Sequence, residues 1–236
     1  MELDNIIYPG FNKTLSELNA ISKIKKKSCE IVDLTEIEWV RDVLRHRVEE
    51  VGTYDIKFRK PTDEEIKSVS EIVGADINID ELKNNFHKNK RIIGITSGKG
   101  GVGKSTITSL LGIAFDELGK KVGIMDSDIW GYSVPKILGA KFPPIPFNER
   151  IFPSRINNLN VISMDYFVKQ DEAVIWRGPM LHKAIEQFLF EVLWHDIDIL
   201  LIDMPPGTGD VSISLSQFLK YFAQLSNLRL VLKIIC

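Results

Sequence analysis

Hydrophobic and polar residues recur along the chain with two different periods, and the period first changes near the N-terminus. Ile21 to Lys26 and Cys29 to Thr35 are rich in β-forming residues and predict a hairpin. From Glu36 to Val51 apolar residues recur at helical spacing, and Gly52 is expected to end this helix in the left-handed conformation. Tyr54 to Phe58 then alternates with period two, as a strand does. This order predicts a small α+β domain of the type ββαβ.

The next stretch is more polar and separates two predicted domains. A capping box that opens at Thr62 predicts a short helix ending near Gly74. We therefore expect a small domain over residues 1–60, a partly helical linker over residues 61–90, and a larger domain over residues 91–236.

In the larger domain, apolar strands alternate with amphipathic helices. The predicted strands are Arg91–Thr96, Lys121–Met125, Leu159–Ser163 and Ile197–Asp203, and the predicted helices are Lys104–Leu118 and Met180–Leu193. The first helix is expected to bury Ile107, Leu110, Leu111, Ala114 and Leu118, and a proline-rich loop is expected around Pro143 to Pro153. This alternation predicts an α/β fold with a doubly wound, mostly parallel sheet, whose ligands bind at the carboxyl ends of the strands.

Composition narrows the functional classes. The chain has 236 residues, 44% of them hydrophobic, and a net charge of −2, which gives no electrostatic reason to expect nucleic-acid binding. No apolar run reaches the roughly 18 residues of a membrane span, and Met1 to Asp4 lacks the order of a secretion signal. Cys29 and Cys236 have no metal-ligand spacing. A cytoplasmic protein that binds neither nucleic acid nor membrane is expected.

The strongest motif lies between the first strand and the first helix of the larger domain. Residues 98–105 match the phosphate-binding pattern G-x-x-x-x-G-K-[ST] of a P-loop. Glycines allow a tight turn with inward N–H groups, and the following helix adds the equivalent of about half a positive charge. Lys104 is expected to reach the β- and γ-phosphates and Ser105 to bind Mg²⁺. The predicted nucleotide-binding residues are Gly98, Lys99, Gly100, Gly101, Val102, Gly103, Lys104, Ser105 and Thr106.

Acidic residues follow two of the predicted strands. Asp126 and Asp128 come directly after one strand, and Asp203 closes another. Because parallel strands end at the same edge of a sheet, we expect these carboxylates beside the glycine loop. Asp128 is the candidate for orienting an attacking water, while Asp126 and Asp203, with Ser105, are the candidates for the metal shell. The alternative for Asp126 and Asp128 is that they cap the turn that follows.

These residues resemble a known group of proteins. Lys99, a second lysine directly after Gly98, is similar to the deviant Walker A loop of the MinD, ParA and nitrogenase iron protein superfamily. Within it, the stretches 126–135, 176–180 and 203–210 resemble the Mrp (ApbC) family of iron–sulfur cluster carrier P-loop ATPases. The ββαβ unit looks like the small iron–sulfur assembly domain often fused in front of such ATPases.

The resemblance implies roles for particular residues. Lys99, Lys104 and Asp128 would be catalytic, with Lys99 reaching the nucleotide of a partner subunit and so favouring a homodimer. Thr106 would lie near the α-phosphate. ATP and Mg²⁺ are the implied cofactors, a [4Fe–4S] cluster is the implied cargo, and iron–sulfur client or scaffold proteins are the implied partners. No catalytic role follows for Arg177, and a structural ion pair is its alternative.

The chain departs from that family in two places. Tyr132 stands where the family has proline, which is a local loop change. After Gln217 the match stops, and the C-x-x-C pair that binds the family's cluster does not occur in this sequence. We therefore expect a shortened C-terminal part that leaves an apolar sheet edge uncovered, although Leu228–Ile235 has the composition of a strand.

Two other functions stay open at this point. One is a nucleotide-switched partitioning protein of the MinD or ParA kind, and the other is a non-catalytic remnant that binds partners through its N-terminal domain. Pro205–Asp210 and Trp176–Pro179 favour the iron–sulfur carrier. A basic amphipathic C-terminal helix would favour the partitioning protein, but Lys220, Arg229 and Lys233 are too sparse to form one.

Overall fold

The chain divides into two compact units. The computed structural model describes residues 3–25, 28–85, 90–128, 131–166, 178–194, 197–206, 215 and 230–234. The first unit is Met1–Ile77 with Ile145–Phe152, and the second is Asn78–Pro144 with Pro153–Cys236. The domain limits expected at residues 60 and 90 stay a prediction, because the observed division lies between Ile77 and Asn78 and also gives an internal segment to the first unit.

The first unit contains a small mixed sheet. Its elements in chain order are a 3-10 helix (Leu3–Asn5), β1 (Ile7–Tyr8), β2 (Lys13–Thr14), β3 (Ile21–Lys25), β4 (Ser28–Val32), α1 (Glu38–Val51), β5 (Asp55–Arg59) and α2 (Asp63–Val73). Strand β4 lies between β3, to which it is antiparallel, and β5, to which it is parallel. This arrangement confirms the predicted ββαβ order, with α1 as the crossover between parallel strands.

Helix α1 buries Val40, Leu44 and Val48, which are four residues apart and therefore share one face. The expected end of this helix is wrong in one respect. Gly52 has φ 169°, which is extended backbone, and its N–H donates to the carbonyl of Val48. The capping box of α2 is present, since Thr62 and Glu65 exchange side-chain and main-chain hydrogen bonds, and Gly74 ends that helix at φ 67°.

The remaining elements alternate helix and strand. They are α3 (Ile79–Asn85), β6 (Arg91–Ser97), α4 (Lys104–Glu117), β7 (Val122–Asp126), α5 (Val134–Leu138), β8 (Ile145–Phe147), β9 (Arg150–Phe152), β10 (Ser154–Ile156), β11 (Leu159–Ser163), a 3-10 helix (Met164–Tyr166), α6 (Gly178–Phe190), β12 (Ile199–Asp203) and β13 (Leu230–Ile234). None of the helices in the described part of the chain has the length and apolar content needed to cross a bilayer.

The second unit is built on a six-stranded sheet in the order β10-β11-β7-β12-β6-β13. All its strand pairs are parallel except β10 with β11. Every residue of β7 and β12 is buried, as expected for central strands covered on both faces. The predicted doubly wound sheet is confirmed. Strand β13 lies within the apolar run predicted near the C-terminus and pairs with β6.

Helix α4 buries only part of the predicted apolar face: Leu111 packs against the core, but the fully buried positions are polar or small. Lys104, Thr108, Ser109 and Gly112 are buried, whereas Leu110 and Leu118 are 59% and 73% exposed. The reason is close packing: a Cβ on Gly112 would lie 2.6 Å from the Ile124 Cδ1 atom. Small residues therefore let the helix approach β7, and this approach turns the polar side chains of its first turns inward.

The proline-rich region contains a hairpin in place of the expected loop. Strands β8 and β9 pair across Asn148 and Glu149, which both have positive φ, as a tight two-residue hairpin turn requires. The hairpin belongs to the first unit. The ring centroid of Phe11 lies 5.1 Å from that of Phe147 and 4.3 Å from that of Phe152.

Candidate functional site

The glycine loop connects the end of β6 to the start of α4. Gly101 and Gly103 have φ 74° and 84°, a region that favours glycine, so this backbone path depends on them. A Cβ on Gly98, Gly100, Gly101 or Gly103 would meet nothing within 4 Å, so the loop faces open space. Val102 completes the loop.

That open space is a cavity of about 510 Å³. Its lining residues are Ser97, Lys99, Gly100, Gly101, Gly103, Lys104, Ser105, Thr106, Asp128, Gly131, Ser133 and Pro206. Most of the loop residues predicted to bind nucleotide thus lie around one cavity, with one of the predicted aspartates among them.

Asp203 connects the loop to the central strand β12. Its Oδ1 atom accepts a hydrogen bond from the Lys104 Nζ atom at 2.7 Å, and its Oδ2 atom accepts one from the Ser105 hydroxyl at 2.5 Å. Lys104 is 6% exposed and Asp203 is 0% exposed. A buried charge pair of this kind needs such additional hydrogen bonds to offset desolvation. The structure therefore brings together the lysine, the serine and the strand-end carboxylate that the sequence singles out.

Asp128 is a second carboxylate close to Lys104. Its Oδ2 atom is 3.7 Å from the Lys104 Nζ atom, and its side chain lines the cavity. The backbone before it is fixed to β12, because the N–H and hydroxyl of Ser127 both donate to the carbonyl of Asp203, at 3.0 and 2.7 Å. This carboxylate is therefore held at the cavity wall.

Asp126 lies beside the cavity but is not among its described lining residues. Its Oδ2 atom accepts hydrogen bonds from the N–H groups of Ser133 and Val134 at 3.1 and 3.2 Å, so it caps α5. Burial, followed by the nearby Asp203 carboxylate, raises the pKa of Asp126 to about 7. These contacts correspond to the capping alternative considered for Asp126. Its role as a metal ligand stays a prediction.

Sequence reasoning missed Thr108. Its hydroxyl lies 3.0 Å from both the Asp203 Oδ1 atom and the carbonyl oxygen of Lys104. The signal was available, since a residue four positions after Lys104 lies on the same face of a helix. Ser133 and Gly131 line the cavity as well, but they follow a loop whose path the sequence pattern does not define.

Some predicted features lie outside the described residues. They are Ile129, Trp130, Trp176, Arg177, Gly207–Asp210 and Cys236. Within the described ranges, no group of three or more His, Cys, Asp or Glu side chains is arranged to hold a metal ion. Cys29 is buried in the first unit, and this burial raises the pKa of its thiol.

Comparison with known families shows which group of P-loop proteins the chain belongs to. A family model described as ParA, the NUBPL iron-transfer P-loop NTPases, matches residues 88–228. The chain belongs to this family. The match covers the whole glycine loop and strands β7 and β12, so the resemblance to iron–sulfur carrier P-loop NTPases is confirmed. The expectation that the match stops after Gln217 is wrong, since the matched region continues to residue 228.

Individual relatives carry related names. A protein of Mycobacterium leprae named iron–sulfur cluster carrier protein is 46% identical over 129 residues, which are 55% of this chain and 34% of that protein. A protein of the same name from Helicobacter pylori is 34% identical over 222 residues, 91% of this chain and 59% of its own length. The chain thus spans between about a third and three-fifths of these curated relatives.

A solved structure supports the same fold. The nucleotide-binding protein of Archaeoglobus fulgidus, determined in complex with ADP, is 32% identical to this chain with a TM-score of 0.51. The match covers 66% of this chain and 59% of that one.

Proposed function

We propose that this chain binds ATP together with Mg²⁺ and hydrolyses it, as the nucleotide-binding part of an iron–sulfur cluster carrier. The observation that carries the proposal is the Asp203 carboxylate, which is joined to Lys104 and Ser105 at the edge of a glycine-lined cavity. Family membership as a P-loop NTPase and the ADP complex of the Archaeoglobus fulgidus relative support it.

Phosphate binding follows from the loop and the helix that succeeds it. The N-terminus of α4 directs main-chain N–H groups and a partial positive charge towards the loop, which favours an anion there. Lys104 and Lys99 add two ammonium groups to the lining of the same cavity. Several charge-assisted hydrogen bonds to a triphosphate are therefore available.

The donor groups present fit Mg²⁺. Ser105 and Asp203 offer a hydroxyl and a carboxylate, which are hard oxygen ligands, and their oxygens are already 2.5 Å apart. Mg²⁺ is commonly held by one or two carboxylates and by phosphate oxygens, so these two residues would hold it beside a bound triphosphate. When bound, it would neutralise charge on the phosphates.

Hydrolysis is assigned to Asp128. Asp128 is 8% exposed, it lines the cavity, and its carboxylate has the acceptor oxygens needed to orient a water molecule. Water would attack the γ-phosphorus, the bond to the β-phosphate oxygen would break, and ADP and inorganic phosphate would leave. Lys104 would stabilise the charge of the transferred group.

The cargo and the partners come from the relatives. The curated relatives are named iron–sulfur cluster carrier proteins, and we propose the same cargo for this family member. The sequence has no C-x-x-C pair, and Cys29 is buried, so these residues do not fit a [4Fe–4S] cluster. We also propose a homodimer in which Lys99 acts across the interface, with iron–sulfur client or scaffold proteins as partners.

Phosphate release and ATP binding, measured on the same protein, test the nucleotide part of the proposal. The wild-type chain is expected to bind ATP with Mg²⁺ and to release phosphate. The Asp128→Asn variant is expected to bind with an affinity within about threefold of wild type and to lose at least about 100-fold in kcat, because only water orientation is removed. A wild-type chain that binds no ATP contradicts the proposal.

Anaerobic incubation with iron and sulfide tests the assignment of the cluster. Because the chain lacks a suitable pair of cysteines, we expect no visible absorbance of a bound cluster. A stable cluster that survives gel filtration would contradict the conclusion that the cysteines of this chain do not hold a cluster.

A further inference from the structure

The loop between β7 and α5 is tied to a single buried carboxylate. Asp126 is 0% exposed, and its Oδ1 atom accepts a hydrogen bond from the N–H of Asp128 at 3.3 Å. Its Oδ2 atom accepts bonds from the N–H groups of Ser133 and Val134. The Ser163 hydroxyl, at the end of β11, donates to the same oxygen at 3.3 Å. One side chain thus joins both ends of the loop to the neighbouring strand.

The loop that Asp126 closes lines the nucleotide cavity. Asp128, Gly131 and Ser133 all face that cavity. The fit inside the loop is close, because a Cβ on Gly131 would lie 3.1 Å from the Asp128 Oδ2 atom. A change in the distance between Asp128 and Ser133 would therefore move the carboxylate that faces the cavity.

Both carboxylate oxygens of Asp126 accept hydrogen bonds, Oδ1 from one donor and Oδ2 from three. An amide in the same place has only one acceptor oxygen, so its NH₂ group would oppose either the N–H of Asp128 or the N–H groups of Ser133 and Val134. The geometry around Asp126 is thus specific for a carboxylate, although this residue has no described contact with Lys104 or Ser105.

We propose that Asp126 is a positioning residue for hydrolysis, which closes the loop between β7 and α5 and so fixes Asp128 relative to the bound nucleotide. This role rests on the proposed function. We expect a larger effect on hydrolysis than on binding, because the described hydrogen bonds of Asp126 go to the loop and to Ser163 and not to the P-loop residues that hold the phosphates.

The test compares Asp126→Asn with Asp198→Asn. The Asp198 Oδ2 atom accepts a hydrogen bond from the N–H of Lys121 at 2.9 Å, just before β12 and β7 begin, so it is an exposed, hydrogen-bonded carboxylate at the opposite end of the strands. For Asp126→Asn we expect kcat to fall about 10- to 100-fold while the ATP affinity stays within about threefold. Asp198→Asn is expected to keep both. The double variant Asp126→Asn with Asp128→Asn should lose no more kcat than Asp128→Asn alone.

Several results would overturn the role of Asp126. They are an unchanged kcat in Asp126→Asn, a parallel loss of kcat and affinity, or independent losses in the double variant. If Asp126→Asn does not fold, Ser163→Ala decides, because it removes one donor to the same oxygen and keeps the charge. We then expect kcat to fall about threefold at constant affinity, and an unchanged kcat overturns the role. A wild-type chain that binds no ATP overturns the proposed function itself, and the role of Asp126 with it.

Discussion

The charged side chains around Arg59 and those around Lys104 differ in depth and in balance. Arg59 forms two hydrogen bonds with the Glu65 carboxylate, at 2.6 and 2.8 Å, and the two side chains are 31% and 32% exposed. Glu65 also completes the cap of α2 through the N–H of Thr62. The hydrogen bonds from Arg59, followed by the one from Thr62, lower the pKa of Glu65 to about 2. Every charge in this cluster has a partner that stabilises the charged form.

Around Lys104 the carboxylates outnumber the ammonium group. Lys104 lies within 4 Å of both Asp128 and Asp203. The nearby Asp126 is a third carboxyl group, and its pKa is raised to about 7. These side chains are almost completely buried. The charges around Arg59 are balanced and partly exposed, whereas the buried and unbalanced charges around Lys104 are typical of a site that binds another charged species.

The largest expected effect is on the Lys104 cluster. Lys104→Ala should weaken binding of ATP with Mg²⁺ about 300-fold, equivalent to about 3.4 kcal/mol, because the charged contacts to the phosphates are lost. Isothermal titration calorimetry measures this change. Lys120→Ala, which alters an exposed lysine just beyond α4, is the control and should bind like wild type. Equal affinities in all three proteins would contradict the assignment of the loop.

Arg150 tests a buried charge that serves structure only. It is 4% exposed and donates to the carbonyl oxygens of Ala75 and Ile77 within the first unit. Arg150→Met should lower the free energy of unfolding by about 3 kcal/mol, because buried acceptors lose their donors. Urea denaturation gives the value. Arg155→Met, at an exposed arginine bonded to the carbonyl of Asn157, should cost less than about 0.5 kcal/mol.

Asp33, between β4 and α1, is a second buried charge of the first unit with a structural role. Its Oδ1 atom accepts from the N–H of Glu36, its Oδ2 atom accepts from the Arg41 Nε atom at 2.6 Å, and it is 2% exposed. Asp33→Ala should cost about 2 kcal/mol in urea denaturation. Asp42→Ala removes one of the two exposed carboxylates bonded to Arg45 and should cost about 0.3 kcal/mol. Similar losses in both variants would show that burial does not separate them.

The smallest effect concerns pH. Because the fold lowers the pKa of Glu65 from 4.5 to about 2, its contribution is present above about pH 4.5 and is lost as the pH falls towards 2. Glu65→Gln should therefore lower the free energy of unfolding by about 1 kcal/mol at neutral pH, and this difference should vanish near pH 2. Glu64→Gln is the control, with no difference at either pH. A constant Glu65→Gln difference at every pH would refute the linkage.

The sequence predicts the parts of the site that are local. The P-loop pattern, the strand before it and the helix after it occupy consecutive residues. Because the carboxyl ends of parallel strands meet at one edge of a sheet, Asp203 at the end of β12 lies beside the loop. The facing of α4 and the capping role of Asp126 depend on contacts between distant residues, such as Gly112 with Ile124. The hairpin at Asn148 and Glu149 lacks the glycine that commonly marks such a turn.

The dependence of ATP affinity on Mg²⁺ tests the central claim most directly, which is that the glycine loop and the strand-end carboxylate form one site. We expect Mg²⁺ to improve the affinity of the wild-type chain at least about tenfold over the affinity in excess chelator. In Asp203→Asn this improvement should fall below about threefold, while Asp198→Asn should keep it. An Asp203→Asn variant with the full Mg²⁺ dependence would contradict the account.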